Sequence, residues 1–403
     1  MKRVSLLMIV ALLASFSVAL PTWAAPRFAA QQAQKQFKSE AERTAYTAYY
    51  EVKIEADPAK KLAMGKEFLK NFPDSDFAQS VKDVNLRALG MIFQAQLDAY
   101  YKAADAAKLS QLLATGEEYL SSQSDQPYFL THMAMASGYG VLLGFNKDID
   151  KSKAYAEKAL QRLESDTPPQ GWKPEEWNGF RSNSAFLGSL NQYIAMYILR
   201  DATPDPEKVI AHLTKAAEHK DWPAAKDPNT YSLRAQANNI IYAKLGAEYS
   251  SLSNDDKTGE KGKAILEKIN PVVDKMIDDY ARAVALLSAP QNKALRDDAK
   301  ERLTDLYKYR YTKLDGLEDL IKYYEKDPTA PPMVIKPPSD TGASAKDLPS
   351  GEAPKTEMAK TDGANGAKTD ASKTTGKTAA SKTAASKTTT TKKPPVRKKK
   401  ESS

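Results

Sequence analysis

Apolar residues in most of this chain recur at steps of three and four, which is the spacing of one face of an α-helix. The clearest stretch covers residues 133–166, where a first face carries Met133, Ala136, Gly140 and Leu143. A polar turn follows, and a second face then carries Ile149, Ser152, Ala156, Ala159, Leu160 and Leu163. Two helices with so short a connection pack antiparallel. Because almost nothing between residues 39 and 326 alternates with period two, the pattern predicts an all-α protein.

Capping residues predict where the helices begin. Ser39 with Glu42 forms a capping box. Asp57-Pro58 and Asp205-Pro206 each place an N-cap residue before a proline at the first helical position. Asp148 is the N-cap of the second helix in the stretch described above. From these signals, the second helices of successive pairs begin near residues 58, 105, 148, 205 and 260.

Three further predictions concern the second half of the chain. The pattern predicts one continuous helix over residues 175–199. Residues 253–259 contain Ser, Asn, Asp and Gly, which favour a loop. Pro271 predicts a break between a helix over 260–270 and another over 272–287, because proline lacks a backbone donor and clashes with the preceding turn.

The pair over residues 133–166 resembles the tetratricopeptide repeat (TPR), a helix pair of about 34 residues. Gly140, Asp148, Ile149 and Ala159 fall in register with the pattern of that family, although Ala136 stands where a Trp is usual. The resemblance implies a TPR-like α-solenoid of stacked antiparallel helix pairs over residues 39–326. The motif specifies a fold much better than a role.

The resemblance also implies a place for a partner, because the first helix of each pair lines the concave surface in that family. In the pair that begins near Glu175, the positions facing this groove are Ser182, Phe186, Ser189, Gln192 and Tyr193. A protein or peptide partner is therefore expected there, and the leader pattern described next predicts that this partner is in the cell envelope.

The first residues are typical of a secretory signal peptide. Lys2-Arg3 precede an apolar run over residues 4–20, and in Thr22-Trp23-Ala24 the small residues Ala24 and Thr22 suit a cleavage site after Ala24. The alternative is a retained membrane anchor. The pattern predicts a leader over residues 1–24, a flexible start over residues 25–38, and an exported protein that is periplasmic or associated with the cell envelope.

The positive charge of the chain lies at its end. A Pro-rich linker over residues 327–340 leads into residues 341–403, the basic tail, which carries 14 Lys and Arg against 6 Asp and Glu. That excess of +8 equals the net charge of the whole chain. The composition predicts disorder. Anionic lipid or polysaccharide is the expected ligand of its basic cluster, which comprises Lys392, Lys393, Arg397, Lys398, Lys399 and Lys400. The alternative is a solubilising tail that binds nothing, and the leader argues against nucleic acid as the partner.

Few residues offer catalytic or cofactor chemistry. The chain has no cysteine, which excludes disulfides and thiolate metal sites. Its histidines, His132, His212 and His219, lack the i, i+4 spacing of a zinc pair and are interpreted as structural. Gly138-Tyr139-Gly140 lies inside a helical pattern with no strand before it, so we interpret it as helix packing rather than dinucleotide binding. We therefore expect no metal, no cofactor and no enzymatic activity.

The sequence thus predicts an exported scaffold that mediates protein–protein interaction. The alternative is a polyanion-binding protein that acts through its basic tail. The identity of the partner and the oligomeric state are left open.

Overall fold

The computed structural model describes residues 35–218 and 223–333. Within these two ranges every regular element is helical and no strand occurs, so the predicted all-α class is confirmed. The predicted leader and the basic tail lie outside the described residues. Residues 35–38 of the predicted flexible start are described, and the ring of Phe37 stacks on that of Phe77 with centroids 4.5 Å apart.

The described ranges contain fourteen α-helices and two short 3-10 turns. The helices are α1 (Glu40–Glu51), α2 (Pro58–Asn71), α3 (Ala78–Lys102), α4 (Ala106–Ser122), α5 (Pro127–Leu142), α6 (Ile149–Glu164), α7 (Pro174–Arg181), α8 (Ser184–Ile198), α9 (Pro206–Glu218), α10 (Pro228–Ser250), α11 (Asn254–Thr258), α12 (Glu260–Leu286), α13 (Lys293–Tyr311) and α14 (Leu317–Lys326). The 3-10 turns are Pro223–Lys226 and Pro290–Asn292.

The helices pack mainly against their neighbours in the chain. The two members of each pair contact each other, as α3 does with α4, α5 with α6, and α8 with α9. The first helices α3, α5, α8 and α10 also contact one another in succession. By contrast, the consecutive second helices α2, α4, α6 and α9 share few or no close backbone contacts within the described ranges. Their backbones are therefore spaced apart.

Four second helices begin with the same local contact. The side chain of the N-cap Asp accepts a hydrogen bond from the backbone N–H three residues later, at 2.8–3.1 Å, in Asp57, Asp105, Asp148 and Asp205. This contact satisfies an amide of the first turn that has no partner inside the helix. Helices α2, α4, α6 and α9 thus begin where the capping residues predicted.

The prediction of one continuous helix over residues 175–199 is wrong, because this stretch forms two helices, α7 and α8. Ser182 Oγ donates a hydrogen bond to the carbonyl of Asn178 at 2.6 Å, and Asn183 Oδ1 accepts one from the amide of Ala185 at 2.9 Å. Short polar side chains of this kind compete with the helical backbone for its own partners. The bonds of Ser182 and Asn183 end one helix and start the next.

Two other predictions in this half are also wrong. Residues 254–258 form a helical turn, α11, in which Ser253 Oγ accepts a hydrogen bond from the amide of Asp256 at 3.1 Å. Pro271 lies inside α12 and does not end it. Proline removes one backbone hydrogen bond, but its neighbours Ile269, Val272 and Val273 are buried in the core. Burial of these side chains offsets the lost bond.

Helices α5 and α8 are buried on nearly all sides. One apolar cluster runs from α2 to Ala237 of α10 around them, and another joins α10, α12, α13 and α14. A helix that is apolar all round is expected in such an enclosed position. A Cβ atom on Gly138 of α5 would lie 2.4 Å from the ring of Tyr193 in α8. The interpretation of this glycine as a residue of close helix packing is therefore confirmed.

A buried arginine holds the start of the Pro-rich linker against the helices. Arg282 of α12 donates hydrogen bonds to Asp278 (2.9 Å), to Tyr324 Oη (3.1 Å) and to the carbonyl of Pro328 (2.6 Å). The amide of Met333 donates to the same Tyr324 hydroxyl at 3.2 Å. Residues 327–333 are thus fixed on α12 and α14.

Candidate functional site

Four of the five residues predicted to face a partner are buried in α8. Ser182 is exposed at the end of α7, whereas Phe186, Ser189, Gln192 and Tyr193 are enclosed. The predicted groove on the first helices is therefore largely filled by the chain at this pair.

The residues that fill it come from three parts of the chain. The ring of Phe186 lies 5.2 Å from that of Phe180, which precedes α8, and 5.5 Å from that of His132 in α5. Gln192 Nε2 donates a hydrogen bond to Asp227 Oδ2 at 2.8 Å. A partner would have to displace these contacts, so the role of the five positions stays a prediction.

Open space lies instead between consecutive second helices, and ion pairs bridge it. Lys66–Glu118 (2.6 Å) joins α2 to α4, Glu117–Lys151 (2.5 Å) joins α4 to α6, and Glu164–Lys215 (3.2 Å) joins α6 to α9. The long side chains of lysine and glutamate thus span the gap between the backbones of these helices. Two cavities lie in these gaps, one on each side of α6.

The first cavity, the α4–α6 groove, has a volume of about 290 Å³. Its polar lining is satisfied internally: Ser137 Oγ lies 2.6 Å from Ser152 Oγ, and Asn146 Nδ2 donates to both hydroxyl oxygens at 3.0–3.1 Å. Burial alone would raise the pKa of Glu117, but hydrogen bonds from Lys151 and Tyr155 outweigh it and lower that pKa. With these groups paired to each other, this groove offers few free hydrogen-bonding positions.

The second cavity, the α6–α9 groove, is larger, with a volume of about 490 Å³. Its floor is apolar and consists of Leu160 from α6 with Ile194 and Ile198 from α8, all three buried. Its rim carries the charged side chains Lys153, Glu157, Glu164, Asp201, Asp205 and Lys208, with His212 beside them.

Most charges on this rim already have partners. Lys153 pairs with Asp201 at 2.9 Å, and Lys208 pairs with Asp205 at 3.0 Å. Glu164 pairs with Lys215, as described above. Glu157 is exposed and forms no ion pair with any residue in the described parts of the chain. The rim thus has an excess of negative charge, with its most available carboxylate at Glu157.

His212 presents a hydrogen-bond acceptor at the same rim. Asn191 Nδ2 donates to the carbonyl of Leu187 at 2.7 Å, which directs the amide oxygen of Asn191 towards His212 Nδ1 at 2.8 Å. An amide oxygen can only accept, so Nδ1 carries the proton in the neutral ring and Nε2 has a free lone pair. Burial lowers the pKa of His212, and nearby Lys215 lowers it further against the opposing effect of Glu164.

The sequence did not indicate the α6–α9 groove. On α6, Leu160 and Gln161 lie three and four positions after Glu157, and Glu164 lies four and three positions after them, a spacing that a sequence can indicate. The opposite wall depends on how α8 and α9 meet α6, and no periodicity specifies that. His212 was interpreted as a structural residue, and its bond to Asn191 is indeed structural, but the ring also lines the groove.

Two other results concern sites considered from the sequence. Within residues 35–218 and 223–333, no group of three or more His, Asp or Glu side chains is placed to hold a metal ion. In the same ranges no helix is both long enough and apolar enough to cross a membrane. The basic cluster from Lys392 to Lys400 lies outside the described residues.

Comparison with family models, with curated proteins and with solved structures found no match for this chain. The similarity to the tetratricopeptide repeat therefore rests on the residues of the 133–166 pair and stays a prediction.

Proposed function

We propose that this protein is a non-enzymatic, exported helical scaffold that binds a segment of a partner protein in the cell envelope. The α6–α9 groove is the proposed binding site. The observation that carries the proposal is the open cavity of about 490 Å³ between two helices whose backbones are spaced apart. At α8, by contrast, the chain fills the groove that the sequence predicted.

The lining of this groove has the composition expected of a recognition site. Binding sites commonly combine an apolar base with a few placed polar groups, in volumes of roughly 300–1,000 Å³. Here Leu160, Ile194 and Ile198 supply the base, and Glu157 with His212 supplies polar groups at the edge. A cavity of this size accommodates two or three side chains of a partner segment.

The resemblance of residues 133–166 to the tetratricopeptide repeat supports a binding role, since that family mediates protein–protein interaction. The leader pattern over residues 1–24 supports the envelope as the place of binding. Neither observation identifies the partner, so the test is designed to capture it in intact cells.

The proposal is tested by photo-cross-linking from two positions on α6. Gln161 is exposed and lines the groove, whereas Lys158, one turn earlier on the same helix, is exposed and does not line it. With a photoreactive phenylalanine analogue at Gln161, we expect cross-links to one or a few defined envelope proteins, which the Lys158 position does not give. No cross-link at Gln161, or the same set of products from both positions, would contradict the proposal.

A second function is supported by the charge of the tail. Between Ala371 and Lys400 there are ten basic residues and no acidic one, which favours attraction to anionic lipid or polysaccharide. Deletion of residues 341–403 distinguishes the two functions. If the tail carries the function, association with the envelope is lost on deletion and is weakened by salt in the full chain. If the groove carries it, the Gln161 cross-links persist in the deleted protein.

A further inference from the structure

The chemistry of the α6–α9 groove indicates the kind of segment that it accepts. We infer that it binds a cationic peptide segment in which a Lys or Arg lies next to large apolar residues, with the cationic group beside Glu157 and the apolar side chains over Leu160 and Ile198. This inference rests on the proposed function and adds the chemical class of the partner.

The first argument is the balance of charge on the rim. Its lining carries four carboxylates against two lysines, and each of the two lysines is already engaged with an aspartate of the same rim. Glu164 is engaged with Lys215 from α9. The carboxylate of Glu157 therefore remains to pair with an incoming cation, whereas an incoming anion would have to approach it without a free positive group nearby.

The second argument is the protonation of His212. Because Asn191 holds the proton on Nδ1, the neutral ring can only accept at Nε2. An N–H group of a lysine, an arginine or a peptide backbone satisfies such an acceptor, and a carboxylate or phosphate oxygen does not. From the wall on α9, His212 thus favours a ligand that supplies an N–H donor, and from the wall on α6 Glu157 favours a cation, so a lysine or arginine satisfies both.

The third argument is the apolar floor, which favours apolar side chains in the ligand. Leu160, Ile194 and Ile198 are buried except for a small part of each side chain. Leucine or isoleucine side chains of a ligand would cover that remaining surface, whereas serine or threonine side chains would gain nothing from contact with it. Cationic groups at the edge and apolar groups in the centre match the usual arrangement of a protein interface.

Binding of synthetic peptides to the full-length protein tests this inference. Fluorescence anisotropy is measured with three labelled nonapeptides of alternating residues: Lys with Leu, Glu with Leu, and Lys with Ser. We expect the Lys–Leu peptide to bind at least tenfold more tightly than either of the others. Equal affinity for the Glu–Leu peptide would overturn the charge argument, and equal affinity for the Lys–Ser peptide would overturn the argument from the floor.

Matched charge reversals locate the binding. Glu157→Lys acts in the groove, and Glu207→Lys makes the same change at an exposed position of α9 that does not line it. From the strength of exposed ion pairs, we expect Glu157→Lys to weaken the Lys–Leu peptide by roughly tenfold and Glu207→Lys by less than about twofold. Equal weakening by both substitutions shows attraction to the general surface charge and contradicts the inference.

Nitrogen NMR provides a readout that does not depend on affinity. The chain has three histidines, so the signals of His212 are identified by their loss in His212→Gln. At pH 7.5 we expect the pattern of a neutral ring protonated on Nδ1, with the Nε2 signal shifting when the Lys–Leu peptide is added. A ring protonated on Nε2, or an Nε2 signal that does not change on saturation, would refute the role of His212.

The two proposals fail in different ways. Partner cross-links at Gln161 without selection for the Lys–Leu peptide leave the scaffold function standing and remove the inference about charge. Selective peptide binding without any cross-link at Gln161 in cells shows a cationic site but contradicts the scaffold function.

Discussion

We expect His132 to make the stability of this protein sensitive to mild acid. His132 is a buried residue of α5, and the centroid of its ring lies 4.3 Å from that of Tyr128 and 5.5 Å from that of Phe186. Burial among such groups disfavours the charged imidazolium and lowers the pKa of His132 to about 3. In the unfolded chain the same side chain titrates near its ordinary pKa of about 6.5.

The direction and size of the effect follow from these two pKa values. Above pH 6.5 the ring is neutral in both states, and its burial carries no protonation penalty. As the pH falls below 6.5, the unfolded chain binds a proton that the folded protein accepts only near pH 3, so the free energy of unfolding decreases over that interval. At about 1.4 kcal/mol per pH unit, the loss between pH 7 and pH 5 amounts to about 2 kcal/mol.

Urea unfolding of the full chain and of His132→Leu at pH 7, 6 and 5 measures this loss. Other groups that titrate in this range are present in both proteins, so they cancel when the two pH profiles are subtracted. We expect the free energy of unfolding to fall by about 2 kcal/mol more in the parent than in His132→Leu between pH 7 and pH 5. Leu130→Ala, a cavity variant on the same buried helix, should keep the parental profile at lower stability.

Parallel pH profiles for the parent and His132→Leu would refute the reasoning. Such a result would mean that the folded protein holds the protonated ring as readily as the unfolded chain does. The absolute stability of His132→Leu does not enter this test, because only the change with pH is compared.

Three further predictions concern stability and are measured by urea unfolding at pH 7. Gly138→Ala places a methyl group against the ring of Tyr193 and should destabilise by about 1–3 kcal/mol, whereas Gly90→Ala, with open space in α3, should be neutral or stabilise by up to about 1 kcal/mol. A similar loss of stability from both substitutions would show that packing against Tyr193 is not the cause of the loss in Gly138→Ala. Arg282→Ala removes the cation paired with Asp278, in a site where the arginine is 6% exposed, and we expect a cost of about 3–5 kcal/mol. Lys293→Ala breaks an exposed ion pair, in which the lysine is 79% exposed, and should cost less than about 1 kcal/mol. Similar costs for Arg282→Ala and Lys293→Ala would contradict burial as the reason for the difference. Asp148→Ala removes the cap of α6 and should cost about 1 kcal/mol, more than Asp150→Ala, which removes the same charge without a cap; an equal cost would assign the effect to charge alone.

Helix positions are the part of this structure that the sequence by itself determines. The starts of α2, α4, α6 and α9 depend on an Asp side chain and an amide three residues away, so the whole interaction lies within one short segment. The same holds for Ser39 and the amide of Glu42. Where the prediction was wrong, it joined two helices across Asn183 or divided one helix at Pro271, and the all-α class was unchanged.

Only the tertiary structure decided which surfaces are open. Phe186 was predicted to face a partner, yet Phe180 and His132 cover it, and His132 is more than fifty positions away in the chain. Likewise, the α6–α9 groove exists because Leu160 and Ile198 from separate helices leave a space that no side chain fills. Periodicity specifies which face of a helix is apolar, but the volumes and crossing of the helices determine what that face contacts.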